Sequence, residues 1–184
     1  MFDLDRFVED CRAALSDVAS PAAVKDLVAR AVADPGAVER ALGTPTEGQI
    51  GTLYRAPDLT ILNIIWAPGM ALYPHDHRMW AVIGLYGGRE DNSFYRRTPQ
   101  GLVQGGGKQL NQGDTIILGY KVIHAVTNPL RQFTGALHVY GGDFFAAPRS
   151  EFDPETFEER PYDVEKAKRL FREANGRWQA ASRA

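Results

Sequence analysis

Apolar residues open the chain at helical spacing, with Phe2, Leu4, Phe7, Val8 and Cys11 recurring every three or four positions. Two further helix starts are marked by Ser20-Pro21 and Asp34-Pro35, each a capping side chain directly before a proline suited to the first helical turn. Residues 1–45 therefore read as a helical preface. From Gly48 the pattern changes to short β-rich runs, QIGTLYRA, LTILNIIWA, MWAVIGLY, NSFYRRT, LVQGGGKQL, DTIILGY, HAVTNPL and GALHVYG, punctuated by glycine, proline and asparagine. Such spacing, without intervening helices, predicts an all-β sandwich or closed barrel over residues 48–145. The glycine-rich residues 104–108 read as a hairpin turn, and not as a phosphate loop, because Gln109 and Leu110 follow Lys108 where Ser or Thr and a helix are required. Residues 146–184 form a polar, proline-bearing tail in which helical spacing resumes at Val164. Asp163 is the expected cap of that helix and Asn175-Gly176 its expected stop, with RWQAASRA fraying beyond.

Composition narrows the picture. A chain of 184 residues, 44% hydrophobic and 24% charged, suits a single domain, 1–184, with one sizeable core. The net charge of −2 gives no basic surplus for phosphate backbones or anionic lipid, which argues against nucleic acid and membrane partners. MFDLDRFVED is acidic where a secretory leader is basic, and no apolar run approaches the roughly 18 residues of a membrane span, so a cytoplasmic location is expected. Cys11 is the single cysteine. An intramolecular disulfide and a multi-thiolate zinc site are therefore excluded, and any metal must be held by histidine or carboxylate.

The four histidines are His75, His77, His124 and His138. His75 and His77 flank Asp76, and strand residues two apart point to one face with Cα atoms about 6.5–7 Å apart. Two imidazoles so placed can converge on iron or zinc, which want nitrogen at about 2.0–2.2 Å. His124 lies far away in sequence, but its strand–turn–strand context places it within reach of that pair in a barrel.

The spacing around these residues resembles the cupin superfamily. Residues 69–77 resemble its first motif, a glycine, five residues and His-x-His; residues 113–128, ending on Asn128, resemble the second, with Gly119 and Lys121 at its usual proline and glycine positions. The resemblance implies a double-stranded β-helix barrel, here with N-terminal helices and a C-terminal helix, and His75, His77 and His124 inward on one metal. The glutamate that many cupins place after the second histidine is replaced by Ala81 and Val82, which favours a three-histidine site. Glu90, after the Gly87-Gly88 turn, is either a further ligand or, more simply, a solvated hairpin carboxylate.

Within the cupins, a neutral three-histidine set is similar to that of the thiol dioxygenases. The likeness implies Fe(II) as cofactor, with a small thiol and dioxygen as partners and a sulfinic acid as product. His138 and Tyr140, two apart on a late strand, resemble the family's outer-shell serine–histidine–tyrosine relay, with Ala136 in place of the serine. The cysteine that some members crosslink to that tyrosine is replaced by Val82. Tyr54-Arg55 resembles the family's tyrosine and arginine near the barrel mouth, which makes Arg55 the expected partner of a substrate carboxylate, although offset by one residue. Arg78 should point away from the histidines, Arg96 and Arg97 should solvate a strand end, and Trp66, Trp80 and Tyr86 read as core. The other readings of such a site are a zinc or manganese isomerase or hydrolase, and a metal-dependent binding module without turnover.

Overall fold

The computed structural model describes residues 1–17 and 21–183, so Ser20 lies outside the described residues. The preface is helical as expected: α1 (Leu4–Asp17), α2 (Pro21–Val32) and α3 (Pro35–Leu42). Asp34 caps α3 by accepting from the Ala37 amide at 3.1 Å, with Pro35 in the first turn. Eleven strands follow among the described residues: β1 (Gln49–Arg55), β2 (Thr60–Trp66), β3 (Ala71–Asp76), β4 (Ala81–Gly87), β5 (Arg89–Thr98), β6 (Gly101–Asn111), β7 (Thr115–Leu118), β8 (Ile123–Thr127), β9 (Thr134–Tyr140), β10 (Ser150–Phe152) and β11 (Glu159–Pro161). The chain then enters α4 (Val164–Ala181).

The strands form two antiparallel sheets, ordered β1-β2-β9-β4-β7 and β11-β10-β3-β8-β5-β6. Leu62, Ile64, Trp66, Ile83, Leu85, Ala136 and Tyr140 fill the space between them. The alternate positions Ile61, Val82, Leu137 and Val139 face outward and are buried instead under α1 and α2, with Phe7, Cys11, Val24 and Val28. Covering both faces explains why β2 and β9 read as continuous apolar runs rather than as alternating strands. Contact between α2 and β4 is close enough that a Cβ on Gly84 would stand 2.3 Å from Val28 Cγ1.

Three expectations are overturned. Residues 104–108 are not a turn: they lie inside the long edge strand β6, and the reversal is at Gly101, with φ 118°. The tail is not free of sheet, because β10 and β11 extend the sheet beyond β3. Nor does α4 stop at Asn175-Gly176. The Asn175 side chain is used elsewhere, its Oδ1 accepting from the Gly48 amide at 2.7 Å and its Nδ2 donating to the Gly48 carbonyl at 2.9 Å. This ties α4 to the start of β1, while Phe171 one turn earlier stacks on Trp66.

Candidate metal centre

His75 and His124 are direct cross-strand partners on β3 and β8, and His77 follows one residue beyond the end of β3. The pairing of β3 with β8 shifts register between Leu72 and His75. The Nε2 atoms of His75 and His77 are 3.2 Å apart, and those of His77 and His124 3.3 Å. Two nitrogens bound at about 2.1 Å to one ion, with an angle between 90° and 110°, are separated by about 3.0–3.4 Å. The donor set therefore fits a divalent cation, and among the described residues these three are the cluster that can hold one.

The far side of two of these rings fixes which nitrogen is free. His75 Nδ1 donates to the Tyr73 carbonyl at 3.0 Å, and His124 Nδ1 donates to Asn92 Oδ1 at 2.7 Å. Each leaves Nε2 unprotonated toward the centre. All three rings are buried, and burial holds them neutral: His75 is lowered to about 4, and His77 and His124 lie well below the ordinary histidine range, with their mutual repulsion adding to the effect.

His138 and Tyr140 line the same small cavity as the three histidines, together with Trp66, Phe144 and Tyr162. Their shared direction follows from alternation along β9, and the Tyr140 hydroxyl and His138 Nδ1 are hydrogen-bonded at 3.0 Å. Burial pushes the Tyr140 phenol upward and lowers His138 to about 3. Among the described residues His138 Nε2 has no hydrogen-bond partner, and it faces Glu90 Oε2 at 3.8 Å.

Glu90 is neither a ligand nor a solvated carboxylate. It is fully enclosed, accepting from Trp66 Nε1 at 2.9 Å and from Asn92 Nδ2 at 3.0 Å, and burial pushes it up to about 7. Trp66 is thus core and cavity wall at once. Arg55 does not join the site. It is exposed and engaged in a two-pronged pair with Asp143, both contacts at 2.9 Å.

The cation that does stand beside the cavity is Arg149, which the sequence reading passed over. Its guanidinium lies 3.9 Å from the centre of the Phe144 ring and 4.1 Å from that of Tyr162, two of the cavity's walls. One nitrogen donates to the Phe144 carbonyl, while Nε and Nη2 are buried without a partner. Arg78 points away, as expected, onto Asp76 at 2.7 Å. Asn128, the last residue of the second motif, is a clamp: its Nδ2 donates to the carbonyls of Trp66, Ala67 and Gln132.

No family model matches the chain. Among solved structures it is similar to an uncharacterised Klebsiella pneumoniae protein with a double-stranded β-helix domain, at 15% identity and TM-score 0.47, covering 59% of this chain and 83% of that one. It is also similar to an RmlC-like cupin family protein of Methanocaldococcus jannaschii, at 10% identity and TM-score 0.47, covering 55% and 85%. A third is oxalate decarboxylase of Bacillus subtilis, at 16% identity and TM-score 0.41, covering 49% and 22%. The chain spans about half or less of the length of several such structures. The two antiparallel sheets, the flanking helices and the inward histidines define a double-stranded β-helix barrel whose centre can hold a metal ion. Among the described residues no helix is long and apolar enough to cross a membrane.

Proposed function

We propose that this protein is a non-haem iron oxygenase that converts a small thiol, most naturally a thiol carboxylate, to its sulfinic acid, RSH + O2 → RSO2H. The observation that carries the reading is the Tyr140–His138 hydrogen bond lining the same cavity as three neutral histidines. Ferrous iron held by His75, His77 and His124 supplies an oxygen-reactive Lewis acid with positions left for substrate, since three imidazoles neither neutralise it nor fill it.

The chain's own groups handle the proton and the charge. Tyr140 stays a neutral hydroxyl because burial raises it. Hydrogen-bonded to His138, this hydroxyl is an uncharged partner for the bound thiol, whose proton is released on binding and regained as the product forms, so the hydrogen and both oxygen atoms end in the sulfinic acid.

In place of Arg55, Arg149 takes the role of anion anchor in this reading. A buried guanidinium with two unpartnered N–H groups is costly unless a carboxylate satisfies it, and its fork can engage both oxygens. The test is oxygen uptake by the anaerobically purified, ferrous-loaded protein across thiol carboxylates and aminothiols. Sulfinate forming at one dioxygen per thiol is expected, with Arg149→Met raising KM for the thiol carboxylate by about tenfold or more. An iron-loaded protein without thiol-dependent uptake overturns the reading.

A further inference from the structure

The buried carboxylate of Glu90 stands at the end of a directed hydrogen-bond chain. Both Glu90 oxygens accept, Oε2 from the Trp66 indole N–H and Oε1 from Asn92 Nδ2. With Nδ2 turned to Glu90, Asn92 must show Oδ1 to the His124 ring, and an amide oxygen only accepts. The proton of His124 is thereby confined to Nδ1. Its Nε2, the atom 3.3 Å from His77 Nε2, keeps its lone pair for an ion.

We propose that Glu90 is a positioning residue of the metal centre: by accepting from Trp66 and Asn92 together it sets the direction of the Asn92 amide, and through it the metal-binding tautomer of His124. An inverted Asn92 would put oxygen against a carboxylate and Nδ2 against His124 Nδ1. The ring would then carry its proton on Nε2 and face the ion with an N–H. Trp66 cannot invert, because an indole N–H only donates. Glu90 is thus held from a side that has no alternative, and the polarity of the whole chain follows from it.

At about pH 8, where Glu90 is ionised, the substitution Glu90→Gln puts a donor where the carboxylate had none. Turned toward Trp66, the new amide NH2 meets a donor; turned toward Asn92, it meets another, and Asn92 relieves that clash by inverting. Removing the indole donor removes the conflict, since in Glu90→Gln/Trp66→Phe the NH2 can occupy the vacated side and return oxygen to Asn92. Zinc serves as a redox-silent probe, titrated into metal-free protein, and long-range 15N–1H spectra read the His124 tautomer directly.

In the native metal-free protein His124 is expected as the Nδ1–H form. Glu90→Gln is expected to weaken zinc binding by about 10- to 100-fold and to move the proton to Nε2. The double variant should bind zinc within about threefold of Trp66→Phe alone, a rescue by a second truncation that a merely loosened core does not produce. An Nε2–H tautomer in the native protein overturns the proposal without any variant. Unchanged zinc affinity in Glu90→Gln, or a double variant no tighter than Glu90→Gln, also overturns it. None of these readouts involves a thiol, so they stand or fall apart from the oxygen-uptake test.

Discussion

Raising the pH of the metal-free protein should remove stability through Glu90, against the usual behaviour of a carboxylate. Its folded-state value is about 7, raised from 4.5 because burial penalises the charge more than the hydrogen bonds from Asn92 and Trp66 favour it. Between these values the folded chain holds a proton that the unfolded chain has released. The stabilisation is therefore complete below about pH 4.5, declines as the pH rises, and is gone above about pH 7. A rise from 4.5 to about 7 corresponds to about 3 kcal/mol. His75 and His138 act with the opposite sign: lowered to about 4 and about 3, they contribute stability near neutrality that is lost as the pH falls below about 6.5. The two effects overlap near pH 5 to 6, so the wild-type curve alone does not separate them. Urea unfolding of wild type and Glu90→Gln, measured from about pH 4.5 to about pH 8, isolates the carboxyl, because the histidine contributions cancel in the difference. Wild type should lose about 3 kcal/mol relative to the variant across that window. A flat difference, or one that grows in favour of wild type with rising pH, refutes the account of Glu90.

Two further outcomes follow from the packing. Asn175→Ala should lower stability by about 2–4 kcal/mol, since it strips the buried Gly48 N–H and C=O of their partners, and calorimetry should show Tm falling by roughly 5–10 °C; a shift within about 1 °C would rule out the clamp. Cys11 is fully buried and its thiol is pushed up to about 12, so a thiol reagent should label it only at the rate of unfolding, and fast labelling of the native protein would show that α1 is not seated as described.

The legible parts of this molecule are those in which a local period or a fixed spacing carries the information. The helical preface, the strand runs and His75, His77 and His124 are of that kind. So is the His138–Tyr140 pair, through alternation along β9. Along β5, Glu90 and Asn92 are buried between the half-exposed Arg89, Asp91 and Ser93, but all five are polar, so the sequence carries no alternation that marks the inward pair. What local reading cannot supply is set by distant partners. β10 and β11 are three residues each, too short to show a period, and exist because Glu151 pairs opposite His75 and bonds Lys166 of α4 at 2.6 Å. The glycine run reads as a turn, but Gly106 and Gly107 pair along β5, and Asn175 reads as a stop but is occupied by Gly48. Arg55 and Arg149 are both arginines near aromatic residues; only the fold reveals that Asp143 pairs with one and that, among the described residues, no carboxylate pairs with the other.

The strand that carries His75 is completed from the far end of the chain. The three inward imidazoles and the His138–Tyr140 pair all lie at or before residue 140, whereas Tyr162 and Phe171, which wall the same cavity, and β10, which pairs with β3, lie beyond it. The groups that hold and the groups that enclose are thus separable: loss of the residues beyond 145 would strip two walls from the cavity and a neighbour from β3 while leaving every histidine in the chain.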